Sequence, residues 1–229
     1  MGIISSRHNP LVKRIREAIR EHAAEIVIEG PKPVSDAVAS GWTPIAIVER
    51  GVDVSSEVFD SLSETKNPQN VIGLFERPRG DAPAILARRD TIAIALDGVQ
   101  DPGNVGTIVR LAAAFDAAGV LLLPGCADPF GPKAIRASAG TILHVPVAEI
   151  TSDALKGNLY ATAMSGQPID PPAQNAILVF GNEGAGVSRN ILERATKIAI
   201  PMSHRVESLN VASSAAILLA RAYVLRTNN

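Results

Sequence analysis

The stretch LDGVQDPGNVGTIVR, residues 96–110, runs from apolar residues through a turn rich in Gly, Asn and Pro into residues with helical apolar spacing. The same arrangement returns in VFGNEGAG, residues 179–186, and in IPMSHRVESLNVASS, residues 200–214. Polar residues therefore gather where strands give way to helices, the edge at which open α/β sheets bind their ligands. Working outward, TIAIAL, VLLLP, TILHVPV, LYATAM, AILVFG and KIAIPM read as strands from Thr91 onward. Between them, residues 106–117, 132–138, 187–195 and 209–226 read as helices, with a short one near Ala154. Near-continuous apolar strands alternating with helices predict an α/β fold whose parallel sheet is covered on both faces.

A smaller α/β unit precedes this one. Residues 9–23 have helical spacing, with Asn9 as N-cap and Pro10 at the first helical position. EIVIEG, a helix over residues 33–40 closed by Gly41, IAIVE, a weak helix near residues 58–62 and VIGLFE then follow as a compact βαβαβ pattern. Residues 77–90 hold two prolines, a glycine and four arginines, the composition of a connection. The domain boundaries expected are thus 1–79, a linker over 80–90, and 91–229.

Charge is nearly balanced, 22 Lys+Arg against 23 Asp+Glu, so the whole chain is no general polyanion binder. Its distribution is uneven: Arg7, Lys13, Arg14, Arg16 and Arg20 crowd the first twenty residues against Glu17 alone. Such a local cluster is either an RNA-facing footprint or a solvated helix face. A single cysteine, Cys126, excludes an intrachain disulfide and fits a reducing, cytoplasmic setting. The longest late apolar stretch, residues 211–225, is interrupted by Arg221 and too short to span a bilayer. MGIISS matches a myristoylation pattern, but a basic helix directly behind it and no other membrane signal make coincidence the better reading. The four histidines are scattered, and no His, Cys or acidic cluster suggests a metal.

Glycine-rich turns invite other nucleotide folds. GNEGAG has the order G-x-x-G-x-G and follows the fifth strand of its unit, whereas a dinucleotide fingerprint follows the first. No G-K-[ST] is present, which excludes a P-loop NTPase. On physical grounds Gly181, Gly184 and Gly186 allow backbone to approach a ligand, with Ile200 and Leu209 offering apolar surface; tight turns explain the same glycines equally well. Asn104 reads as a helix N-cap, and Arg110, six residues on, as a side chain that leans back toward the turn.

In order and spacing the three stretches resemble the motifs of the SpoU-type (TrmH-like) RNA ribose 2′-O-methyltransferases of the SPOUT superfamily. That resemblance implies a deep trefoil knot, which sequence periodicity cannot reveal, and S-adenosylmethionine as cofactor. It implies that Gly181, Ile200 and Leu209 hold the cofactor, with Thr162, Ala163 and Met202 lining the same pocket. Asn104, Arg110, Glu183, Ser208 and Asn210 are the implied catalytic set, with Glu183 either orienting Arg110 or lying at a helix start, and Ser208 capping the last helix. Arg110 would clamp the phosphate beside the target ribose; the proton acceptor stays open among a coordinated water, the phosphate and the arginine itself.

The N-terminal unit resembles the small ribosomal-protein-like recognition domain of many members, carried by SRHNPLVKRIREA and EGPKPVSDAV, with Arg7, Lys13, Arg14 and Arg16 as RNA-binding candidates. Aromatics make up only 3% of residues, so recognition is expected to use phosphates and RNA shape more than base stacking. The substrate implied is structured RNA, ribosomal rather than transfer RNA, and the assembly a homodimer formed through the last helix. The alternative is a non-catalytic RNA-binding or assembly protein on the same fold, which would typically have lost one of the five catalytic residues.

Overall fold

The computed structural model describes residues 2–21, 24–63, 67–203 and 205–228. The chain divides into one unit of Met1–Pro78 with Phe130–Pro132, and a second of Arg79–Pro129 with Lys133–Asn229.

The first unit is a three-stranded sheet, β1 (Glu25–Glu29), β3 (Val71–Glu76) and β2 (Pro44–Glu49) in that order, antiparallel throughout. Helix α1 (Pro10–Glu21) starts where Asn9 Oδ1 accepts from Leu11 N at 2.9 Å. Its Val12, Ile15 and Ala18 recur at helical spacing and pack on Ile72 and Leu74 of the central strand, with Val58 and Phe59 of α3 (Ser56–Asp60) closing that core. Helix α2 (Pro31–Ala39) buries Val34 and Ala37.

The second unit is built on six parallel strands in the order β6-β5-β4-β8-β7-β9. They are β4 (Ile92–Asp97), β5 (Val120–Leu122), β6 (Val147–Glu149), β7 (Leu159–Gln167), β8 (Ala176–Gly181) and β9 (Thr196–Ile198). Helix α5 (Pro102–Ala114) follows β4, and α8 (Val211–Thr227) ends the chain. Alternation along the strands sends Ala93, Ala95, Ile177 and Val179 to one face, where they pack with Ala82 and Ile85 of α4 (Ala82–Ala87) and Ile191 of α7 (Arg189–Leu192). Their neighbours Ile94, Leu96, Leu178 and Phe180 are fully buried on the other face, the side of α5 and α8, which pack on each other. Arg226 fastens the end of α8: it donates to Thr91 Oγ1, to the carbonyls of Phe115 and Asp116, and at 3.0 Å to the Asp116 carboxylate.

Several local expectations differ from this. The connecting segment contains α4, capped by Asp81, whose side chain accepts from Ala84 N at 3.0 Å; burial of Ala82 and Ile85 outweighs its proline and charges. TILHVPV is a 3-10 turn, Thr141–Leu143, and only then β6, because Pro146 has no N–H to donate to a ladder. Near Ala154 there is one turn, with Ala154 N and Leu155 N both bonded to Thr151 O, and α7 covers only the middle of the expected 187–195 helix.

Helix α6 (Pro132–Ser138) lies so close to α5 that a Cβ on Gly106 would fall 2.2 Å from Ala134 O. Alanine is favoured over glycine in a helix interior by about 0.8–1.0 kcal/mol. Overpacking costs about 1–3 kcal/mol, and a backbone carbonyl cannot swing aside as a side chain can, so the steric cost wins. Gly106→Ala is therefore expected to lower the urea midpoint with an unchanged m-value; a raised midpoint would show that α6 yields freely.

Candidate active site

The turn after β4 begins with a cap. Asp101 Oδ1 accepts from Gly103 N at 2.5 Å and Asn104 N at 3.1 Å, and Pro102 fills the first helical position. The Lys133 ammonium, 2.9 Å from Asp101 Oδ2, is the main influence holding that carboxyl below its usual range. Asn104 is thus inside the helix rather than its cap, which leaves its amide for other partners. Nδ2 donates to Glu183 Oε1 at 2.7 Å, and Oδ1 accepts from Asn210 Nδ2 at 3.1 Å. Asn210 in turn caps α8, its Oδ1 accepting from Ala212 N at 2.9 Å and Ser213 N at 3.2 Å. The cap expected of Ser208 belongs to Asn210, two residues closer to the first helical turn.

The turn after β8 is organised by Asn182, which the sequence reading passed over. Its Oδ1 accepts from Gly184 N and Ala185 N at 2.9 and 3.0 Å, and its Nδ2 donates to Gly98 O at 2.9 Å. Asp97 Oδ2 accepts from Ser188 N at 2.7 Å, a second tie between the ends of β4 and β8. An Asn directly after the last strand residue, with Gly two positions on, is an Asx-turn signal, so this role was available in the sequence. Gly181 is required by the turn itself: a Cβ there would lie 2.1 Å from Gly186 C and from Val187 N. A larger residue would strain this loop itself, so Gly181 serves the tight turn whatever it also offers to a ligand.

The turns after β8 and β9 line a cavity of about 910 Å³, whereas Asn104, Arg110 and Asn210 are not among its lining residues. Thr162, Ala163, Gly181, Ile200, Met202 and Leu209, the expected cofactor residues, all line it. Glu183 and Ser208 do as well, and Thr162 Oγ1 is anchored on Val179 O at 3.2 Å. Met164, Met202 and Val206 present exposed apolar surface in its wall. Arg110 is exposed and bonds to no described residue; its expected partner Glu183 is taken by Asn104. Cys126 is half-buried, its thiol pKa pushed up by that burial and its Sγ bonded to Leu96 O at 3.2 Å, so it is a poor nucleophile. Among the described residues no group of His, Cys, Asp and Glu is placed to hold a metal, and no helix is long and apolar enough to cross a membrane.

The N-terminal cations have largely local partners. Arg14 Nε lies 2.9 Å from Glu25 Oε1, Arg7 is 3.7 Å from Glu57, and Arg16 donates to Ser61 Oγ at 3.4 Å, while Lys13 is exposed. His204, to which no catalytic role is assigned, lies outside the described residues.

Residues 91–220, which hold the sheet and all three turns, match the model of the SpoU rRNA Methylase family. The chain belongs to this family. It is 33% identical to the 23S rRNA (guanosine(2553)-2′-O)-methyltransferase of Bacillus subtilis over 87% of this chain and 84% of that one. An AdoMet-bound rRNA methyltransferase from Sinorhizobium meliloti superposes with a TM-score of 0.88 at 29% identity, covering 98% of each chain. The SpoU methyltransferase AviRb of Streptomyces viridochromogenes, solved with AdoMet, gives 0.83 at 25% identity, covering 97% of this chain and 100% of that one.

Within this SpoU member, Asn210 serves α8 and Asn104 at once, and the two functions are separable. Asn210→Ala is expected to cost about 1 kcal/mol of stability through the lost cap. Asn210→Ser keeps a capping oxygen and should recover most of that loss in urea denaturation, while lacking the amide that reaches Asn104. Equal stabilities of all three proteins would show that Asn210 does not cap the helix.

Proposed function

We propose that this chain methylates a ribose 2′-OH of ribosomal RNA with S-adenosylmethionine as methyl donor. The observation that carries the reading is the hydrogen-bonded joining of three strand-end turns, through Asn104, Glu183 and Asn210, beside an apolar-walled cavity. About 910 Å³ falls within the range of small-molecule sites. The exposed Met164, Met202 and Val206 offer the apolar surface that an adenine ring would cover. Gly181, Ile200 and Leu209, with Thr162, Ala163 and Met202, would hold the cofactor, which supplies an electrophilic sulfonium methyl group. Family membership and relatives named as 23S rRNA 2′-O-methyltransferases support ribosomal over transfer RNA. All five expected catalytic residues are present, which disfavours a purely non-catalytic binding protein.

The chain's own part in the reaction is placement. Arg110, exposed and uncommitted, is suited to a bidentate grip on the phosphate beside the target ribose. Its guanidinium carries only N–H donors and no acceptor for a proton, so the hydroxyl proton passes to a coordinated water or to that phosphate. Asn104, Glu183 and Asn210 fix the turns around the ribose, with Ser208 on the cavity wall beside them.

Three further features belong to this reading. The chain from β7 to α8 is threaded as a deep trefoil knot, supported by family membership and by the order β4-β8-β7-β9, in which the late strands are not laid down in sequence. The protein is a cytoplasmic homodimer through α8, supported by Ile217 and Val224, seven residues apart on one helical stripe and 37% and 52% exposed. The first unit is a recognition domain for RNA shape and phosphates, drawing on Arg7, Lys13, Arg14 and Arg16.

Incubation of ribosomal RNA with labelled S-adenosylmethionine should give a 2′-O-methylated nucleotide at a defined position. Arg110→Ala should slow single-turnover transfer by about 10²–10³, the scale for removing one charge-stabilising donor, with cofactor affinity in calorimetry unchanged. Near wild-type turnover would remove Arg110 from the reaction; lost cofactor affinity would move it into the pocket.

A further inference from the structure

One face of α5 carries Gly103, Gly106 and Arg110 at helical spacing, and α6 lies against that face. A Cβ on Gly103 would come 3.4 Å from Lys133 Cε, and one on Gly106 would strike Ala134 O. Lys133 and Arg110 therefore stand on the same side of α5. Gly103 and Arg110 are seven residues apart, about 10 Å along the axis, and the arginine's lean toward the helix N-terminus narrows that gap.

Lys133 has a partner it can leave. Its Nζ is 2.9 Å from Asp101 Oδ2, with the two side chains 58% and 47% exposed. Pairs this exposed contribute little to stability. The helix cap is made by the other carboxylate oxygen, Oδ1, so it persists when Lys133 departs. A carboxylate left alone at a helix start remains favourably placed against the macrodipole. Asn104, which joins all three turns, is in the same first turn of α5.

We propose that Lys133 is an RNA-positioning residue that exchanges Asp101 for a backbone phosphate neighbouring the one Arg110 grips. Two cations on one helix face then hold successive phosphates and fix the target ribose between them. Lys133 acts as a compact point charge and Arg110 as the planar, bidentate partner. This rests on the methyl-transfer reading above and adds to it a contact in the second unit, outside the basic N-terminal helix.

The test is filter binding of a ribosomal RNA transcript to full-length protein over a series of salt concentrations, with cofactor calorimetry and steady-state methyl transfer alongside. Lys133→Gln should weaken RNA binding, raise the RNA KM more than it lowers kcat, and reduce the slope of log K against log salt by about 0.7–0.9, one phosphate contact. Lys133→Arg should restore the slope, and Asp101→Asn, which keeps a capping oxygen and frees the lysine, should bind RNA at least as tightly as wild type. Cofactor affinity should stay constant in all of them. An unchanged slope in Lys133→Gln, or matching losses of stability in Lys133→Gln and Asp101→Asn with equal RNA affinities, would reduce the pair to a structural contact and overturn the proposal. Wild-type protein that bound RNA without salt dependence and transferred no methyl group would overturn the underlying reading, and this inference with it.

Discussion

The side-chain amide of Asn104 is the contact on which the site depends, because among the described residues it is the one group bonded to both of the other turns. Its orientation is chemically forced. An ionised carboxylate only accepts, so Glu183 requires the Nδ2 end; the opening N–H groups of α8 only donate, so they require the Oδ1 end of Asn210. Asn210 is then left with Nδ2 to offer, and Asn104 with Oδ1 to receive it. Asp at either position would put two acceptors face to face, and Gln would overreach by a methylene.

This network works only if the backbone brings the turns within reach. The parallel register of β4 with β8, Ile92 opposite Ala176 through Asp97 opposite Gly181, ends both strands at one level. Asp97 to Ser188 and Asn182 to Gly98 then stitch the strand ends together. Two close approaches complete the frame: Gly181 under the backbone of Gly186 and Val187, and Gly106 under α6. The second sets Lys133 beside the first turn of α5, so a packing constraint in the core fixes where that charge stands.

Strand periodicity and the three polar turns made the parallel sheet and the location of the site legible before any coordinates, since each apolar run needs burial on two faces and each turn needs polar residues at a sheet edge. Resemblance supplied what periodicity could not, the family and its cofactor. What escaped was tertiary. The Asp-Pro pair at 101–102 is a helix-start signature, yet Asn104 also has capping chemistry, and only the helix register shows which residue holds the N–H groups. Ser208 and Asn210 pose the same ambiguity two residues apart. The pairing of Glu183 with Asn104 in place of Arg110 spans 79 residues of sequence and has no local signal. The α4 helix was hidden because the prolines and arginines of the surrounding segment, residues 77–90, outvote two buried side chains in any compositional reading.

The central claim is that Asn104 and Asn210 act as one unit in placing the substrate, so the most direct measurement is a double-mutant cycle on single-turnover methyl transfer, using Asn104→Ala, Asn210→Ser and the combination. The account predicts strong non-additivity: the Ser variant keeps the cap, so its rate loss reports the missing amide contact, and the double variant should be little slower than Asn104→Ala alone. Rate losses that multiply independently would contradict it, showing that the two side chains serve the reaction separately and that the turns are held by other means.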